Sequence, residues 1–110
     1  MTRGHKKILV DKPYDVDGCE VLLHEEYPRQ YYRVSIYMRF REALELALSL
    51  QRSWMRNGDL FDPLLVTRYK FGKYVVARRI EDPMRGPVPD EAEILRFKKG
   101  DHAYSIREVA

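Results

Sequence analysis

Hydrophobic and polar side chains alternate with a period of two between residues 31 and 40. This alternation predicts a β-strand, because successive side chains of a strand point to opposite faces of its sheet. The more apolar set is expected to face the core: Tyr32, Val34, Ile36, Met38 and Phe40. The other set is expected to face solvent or a ligand: Tyr31, Arg33, Ser35, Tyr37 and Arg39.

Apolar residues then recur at three- and four-residue spacing from Ala43 to Met55. This spacing predicts an α-helix over about residues 41–56, and its broad apolar stripe is typical of a helix that lies flat on a sheet. Asn57 and Gly58 follow, and a glycine at this position supplies the left-handed residue that commonly closes a helix. The end of the helix is therefore the best-defined boundary in the sequence.

Four further segments are rich in β-branched and aromatic residues. Residues 64–70 and 74–80 flank Gly72, and residues 94–98 and 102–108 flank Gly100, so each pair predicts a β-hairpin. In the second hairpin, alternation places Leu95 and Phe97 on the same face as Tyr104 and Ile106. A helical reading of residues 90–98 is the alternative, because Pro89-Asp90-Glu91 is a good helix start; we expect at most one helical turn there.

Two weaker strand predictions cover residues 7–10 and 20–27, and a proline-rich internal loop is predicted over residues 81–89. Together the elements predict an α+β fold, a mostly antiparallel sheet with one main helix packed on it and a C-terminal hairpin. A length of 110 residues is enough for one compact domain over residues 1–110, and 45% hydrophobic residues is too many for a wholly disordered chain.

The sequence contains no apolar run long enough to cross a membrane and no signal-peptide pattern at its start, so a cytoplasmic location is expected. A single cysteine, Cys19, excludes an internal disulfide. The sequence contains neither G-x-x-x-x-G-K nor G-x-G-x-x-G, the glycine-rich motifs that bind nucleotide phosphates. The run His24-Glu25-Glu26 lacks the second histidine of a zinc motif, and the spacing around Asp15 and Asp17 does not fit a calcium loop. We therefore expect a non-enzymatic protein without a metal or cofactor.

The charges are segregated more than the net charge of +3 suggests. Residues 27–41 contain Arg29, Arg33, Arg39 and Arg41 and no acid, and residues 67–80 contain five basic residues and no acid. Arginine can bind phosphate with two hydrogen bonds, and tyrosine can stack on a base. We therefore predict a basic, aromatic sheet face that engages nucleic acid or a nucleic-acid-binding complex, through Tyr31, Arg33, Tyr37, Arg39, Arg41, Arg68, Tyr69, Lys70, Lys73, Arg78 and Arg79.

Two alternatives remain open at this point. Tyrosine and arginine are also ordinary residues of a half-exposed sheet face, where cross-strand packing alone accounts for them. The chain could instead be a protein-interaction module or inhibitor, such as a small phage or mobile-element accessory protein that blocks a host or defence complex. Its acidic stretches would then mimic nucleic acid: Asp15, Asp17, Glu25, Glu26, Asp90, Glu91 and Glu93. An edge strand at residues 7–10 or 102–108 could also pair with a second copy to form a homodimer.

Overall fold

The computed structural model describes residues 16, 18–24, 29–82, 84, 86–98 and 100–108. Six strands and one α-helix occur in this part of the chain. In chain order they are β1 (Cys19–Leu23), β2 (Arg29–Tyr37), α1 (Phe40–Arg56), β3 (Leu65–Arg68), β4 (Tyr74–Arg79), β5 (Ile94–Phe97) and β6 (Tyr104–Glu108). The strands form one sheet in the order β1-β6-β3-β4-β2-β5, and every pairing is antiparallel. The predicted α+β fold is thus confirmed.

Helix α1 packs its apolar stripe on one face of the sheet. Its buried side chains are Phe40, Ala43, Leu44, Ala47, Leu48 and Gln51. The apolar ones join a cluster with sheet residues such as Val66, Val76 and Ile106. The helix ends as the sequence predicts, because Gly58 has a φ of 76° and its N–H donates to the carbonyl of Met55 at 3.1 Å.

The opposite face of the sheet carries a second, smaller core. It contains Tyr31, Leu65, Ala77, Phe97 and Ala103. Phe97 lies on β5 at one edge of the sheet, whereas Ala103 directly precedes β6 near the other edge. The sheet must therefore bend strongly over this face to bring them together, as twisted sheets do.

The two predicted C-terminal strands are found as β5 and β6, joined by the 98–103 turn, but they are not hydrogen-bonded to each other. Each strand has other hydrogen-bonded neighbours: β5 pairs with β2, and β6 pairs with β1 and β3. The expected common face is wrong, because Tyr104 and Ile106 pack in the helix-side cluster while Phe97 packs in the second cluster. The bend of the sheet separates the two strands, and local alternation carries no information about such a bend.

The sheet order also corrects the expectation for edge pairing. Residues 104–108 lie between β1 and β3, so this segment is not an edge strand. The edges within the described part are β1 and β5. The predicted strand at residues 7–10 lies outside the described residues, and the one at 20–27 is found as the shorter β1. The described residues of 81–89 belong to no helix or strand.

One buried polar side chain connects the helix to the sheet. Gln51 is 5% exposed; its Nε2 donates to the carbonyl of Ile106 at 2.8 Å, and its Oε1 accepts the N–H of Leu64 at 3.0 Å. The two bonds satisfy backbone groups that would otherwise be buried without a partner, which stabilises the contact between α1 and β6.

Replacing this side chain should have a measurable cost. Gln51→Leu is expected to lower the free energy of unfolding by about 1–3 kcal/mol, because it leaves two buried backbone groups unpaired. Urea unfolding would measure the change. Gln30→Leu makes the same substitution at an exposed strand position and is the control; equal losses in both variants would contradict the bridging role of Gln51.

Candidate nucleic-acid interface

The fold removes two of the predicted contact residues from the surface. Tyr31 is 2% exposed and its ring lies 5.2 Å from that of Phe97, centroid to centroid. Arg78 is 0% exposed, with its guanidinium 5.3 Å over the ring of Trp54 and 3.6 Å from the carboxylate of Asp82. Neither side chain reaches a ligand at the surface, so both have a structural role.

A β-bulge divides the predicted outward face of β2. The register of β2 against β4 shifts between Arg33 and Ser35, and a bulge interrupts the alternation of side chains. Tyr37 consequently packs against the helix-side cluster and is half-buried, while Met38, expected in the core, is 66% exposed. The strand therefore does not present Arg33 and Tyr37 as one continuous row.

Three other predicted cations are already paired with carboxylates. Arg33 Nη1 lies 2.9 Å from Glu93 Oε1, and this same oxygen accepts a hydrogen bond from the hydroxyl of Tyr69. Arg41 is paired with Glu45, and Arg79 is paired with both Asp62 and Glu81. Pairing lowers the charge that these arginines offer to a phosphate.

The remaining predicted cations collect at one end of the sheet, which we call the basic end: Arg39, Arg68, Lys70 and Lys73. None has an ion pair with another residue that the structure describes. The ladder brings them together, because Tyr74 lies opposite both Arg68 on β3 and Tyr37 on β2. The β3–β4 turn and the β2–α1 junction thus extend from the same end of the sheet.

The tip of the basic end carries a phenylalanine that sequence reasoning missed. The N–H of Lys73 donates to the carbonyl of Lys70 at 3.2 Å, and the two residues between them, Phe71 and Gly72, have φ of 58° and 73°. Positive φ at both central positions defines a type I′ turn, in which asparagine, aspartate or glycine is preferred. Phe71 is 92% exposed, so burial does not compensate its strained backbone. The sequence does indicate this feature, because Phe71 directly precedes the turn glycine Gly72, at a position where asparagine, aspartate or glycine is preferred.

A cleft of about 800 Å³ lies beside the basic end. Its walls include Arg68 of β3, Arg96 of β5 and His102 of the 98–103 turn. Arg96 was absent from the predicted set, and it has no ion pair to any described residue. Aromatic side chains, among them Phe40 and Tyr74, also line the cleft.

The structure describes only three of the seven predicted acidic residues: Asp90, Glu91 and Glu93. Asp15, Asp17, Glu25 and Glu26 lie outside the described residues. Asp90 and Glu91 are exposed, but Glu93 is engaged with Arg33 and Tyr69. Among the described residues, the predicted acidic surface is therefore reduced to Asp90 and Glu91.

No group of three or more His, Cys, Asp or Glu residues in the described segments is placed to hold a metal ion. No described helix combines the length and apolar character needed to cross a bilayer. No protein-family model, curated protein or solved structure matches the chain.

Proposed function

We propose that the protein is a non-enzymatic nucleic-acid-binding protein whose contact surface is the basic end. The observation that carries the proposal is the β3–β4 turn, where an almost fully exposed Phe71 stands among Arg68, Lys70 and Lys73. Exposed cations without acidic partners can neutralise phosphates and release their counterions. An exposed aromatic ring between them can stack on an unpaired base.

The backbone at Phe71 supports a binding role over a purely structural one. A left-handed conformation costs an ordinary L-residue about 1–2 kcal/mol, and residues held in such conformations cluster at functional sites. Phe71 belongs to neither of the two core clusters. A contact with a ligand gives a reason for an exposed phenylalanine at a position that disfavours it.

Phe71→Asn separates stability from binding. The variant is expected to gain about 0.5–1 kcal/mol of unfolding free energy, because asparagine tolerates the left-handed region. It is expected to lose about 5- to 150-fold in affinity for a labelled single-stranded oligonucleotide, the usual value of one base–aromatic stack. Urea unfolding and fluorescence anisotropy would measure the two effects.

The control is Phe61→Asn, since Phe61 is another exposed phenylalanine at 66% exposure, located in the segment after α1. It should leave the affinity for the oligonucleotide unchanged. A Phe71→Asn variant that binds as tightly as the unmodified protein would show that the turn does not contact nucleic acid.

A protein-interaction module, such as an inhibitor of a nucleic-acid-binding complex, is the second candidate. It is favoured by Met38 and Phe71, two exposed apolar side chains beyond the same end of the sheet, since aromatic side chains commonly dominate protein interfaces. A pull-down that survives nuclease treatment and is lost in Phe71→Asn, together with absent oligonucleotide binding, would favour this candidate. Recovery of nucleic acid alone would exclude it.

A further inference from the structure

The cleft beside the basic end forms where two strands separate. β3 pairs with β6 only at Leu65 and Val66. Beyond these residues, the hydroxyl of Thr67 donates to the carbonyl of Asp101 at 3.0 Å and holds the 98–103 turn beside β3. The cleft is therefore bounded by hydrogen-bonded backbone on both sides, from residues 67–68 and from residues 100–102.

The polar wall of the cleft is suited to a phosphate group. Arg68 and Arg96 lie on different strands, β3 and β5, and both line the cleft. Neither has an ion pair within the described part of the chain. Guanidinium groups bind phosphate oxygens through paired, charge-assisted hydrogen bonds.

One carboxylate also lines the cleft and must be accounted for. Asp101 Oδ2 accepts the backbone N–H of Lys98 at 2.8 Å, and the N–H of Asp101 donates to the carbonyl of Lys98 at 3.0 Å. These two bonds close the turn, so this carboxylate has a local structural function. Arg68, Arg96 and Asp101 together leave the wall with a net positive charge.

The apolar wall of the cleft is aromatic. The ring of Phe40 lies 5.3 Å from that of Tyr74 and 5.6 Å from that of Tyr104, centroid to centroid, and all three residues line the cleft. Aromatic rings provide faces or edges against which a planar base can pack. The volume of about 800 Å³ is within the range of small-ligand sites.

The backbone of the cleft wall contains a second left-handed residue. His102 has a φ of 44°, and apart from glycines only it and Phe71 have positive φ among the described residues. Both lie at or beside the basic end. The Thr67 hydroxyl lies 3.0 Å and 3.4 Å from the carbonyls of Asp101 and His102, which helps to hold the strained segment in place. Such strain is typical of ligand-binding segments.

We infer that the cleft binds one nucleoside monophosphate unit, with its phosphate between Arg68 and Arg96 and its base against the half-buried ring of Tyr74. This inference rests on the proposed function and deepens it, because it gives the basic end a pocket for a single unstacked nucleotide. The unit has two sources, a nucleotide within a single strand or a free mononucleotide.

The test is a titration of the ¹⁵N-labelled protein, followed by NMR, with AMP, UMP, adenosine and inorganic phosphate as separate probes. The mononucleotides are expected to shift the amide signals of Gly100, Asp101 and His102. Arg96→Gln is expected to weaken mononucleotide binding about tenfold or more, as for loss of a hydrogen bond to a charged group. Arg96 is exposed, so the variant should retain the dispersed spectrum of the folded protein. Arg56→Gln is the matched control, since Arg56 is exposed at the end of α1 and is not part of the cleft wall.

Oligonucleotide binding is measured on the same variants. A tenfold loss in Arg96→Gln for both the mononucleotide and the single strand supports a nucleotide within a strand. Mononucleotide binding without any strand binding supports a free ligand and overturns the proposed function. If the protein binds the oligonucleotide but the mononucleotides do not shift the amide signals of residues 100–102, the inference is overturned and the proposed function stands. Identical shifts with inorganic phosphate and none with adenosine would reduce the cleft to an anion site and overturn the base contact.

Discussion

Asp82→Asn is expected to lower the free energy of unfolding by about 3–5 kcal/mol, the usual loss when one partner of a buried ion pair is removed. Asp82 and Arg78 both have 0% side-chain exposure, and their charged groups lie 3.6 Å apart. Without the carboxylate, the charge of Arg78 would remain buried beside neutral groups such as the carbonyl of Asp59 and the ring of Trp54.

The carboxylate of Asp82 also organises the segment after the helix. It accepts the backbone N–H groups of Phe61 and Asp62, each at 2.9 Å, and that of Met84 at 3.0 Å. Asparagine retains one acceptor oxygen but no charge, and charge-assisted hydrogen bonds are roughly twice as strong as neutral ones. The substitution therefore weakens three backbone contacts together with the ion pair.

The carboxyl group of Asp82 should also make the free energy of unfolding depend on pH in the acidic range. Burial by itself would raise the pKa of Asp82, but the hydrogen bonds from Asp62, Met84 and Phe61 and the charge of Arg78 outweigh it and lower the pKa below its usual value. A carboxyl with a lowered pKa in the folded state contributes stability above its unfolded pKa of about 3.9. That contribution is lost as the pH falls through the lower, folded pKa.

Urea unfolding at about pH 7 and at several values below about pH 4 would measure both effects. Asp90→Asn is the control, because Asp90 is exposed. Equal losses in the two variants, or an unchanged acid dependence in Asp82→Asn, would contradict the role assigned to the buried pair.

The second large effect concerns binding. Replacing Arg68, Lys70 and Lys73 by glutamine is expected to lower the affinity for a single-stranded oligonucleotide by about 100-fold at roughly 0.1 M salt. The reason is that the logarithm of the affinity falls linearly with the logarithm of the salt concentration, and each cation that neutralises a phosphate contributes about 0.7 to this slope. The variant's affinity should also depend less steeply on salt, by about two in the logarithmic slope.

A control with the same change in net charge tests whether position matters. Arg52, Arg56 and Arg107 lie away from the basic end: Arg52 and Arg56 belong to the last turns of α1, and Arg107 lies near the end of β6. Their replacement by glutamine should change the affinity much less. Equal losses in the two triple variants would show that net charge, and not the basic end, governs binding.

The helix and the β3–β4 hairpin could be predicted from sequence because their signals are local. Three- and four-residue spacing and Gly58 determine α1, and Gly72 separates two β-rich segments. The face of β2 could not be predicted, because the bulge after Arg33 depends on how the strand pairs with β4. A strict period of two therefore placed Tyr37 on the wrong side and Met38 in the core.

The candidate site was predicted in part. Arg68, Lys70 and Lys73 were identified from their charge and remain exposed or half-exposed. Arg78 was grouped with them, yet it is buried, and its partner Asp82 lies in the proline-rich segment where no periodic pattern indicates burial. Arg96 was missed because the cleft forms only when the bent sheet brings β5 close to β3, although β4 and β2 lie between them in the strand order.

The salt dependence of oligonucleotide binding tests the central claim most directly. Four contacts from Arg39, Arg68, Lys70 and Lys73 predict a logarithmic slope near −3 for a single strand, which is about a 50-fold loss of affinity between about 50 and 200 mM salt. Fluorescence anisotropy with a labelled single strand would measure it. An affinity that changes less than about twofold over this range would contradict a basic end that binds phosphates.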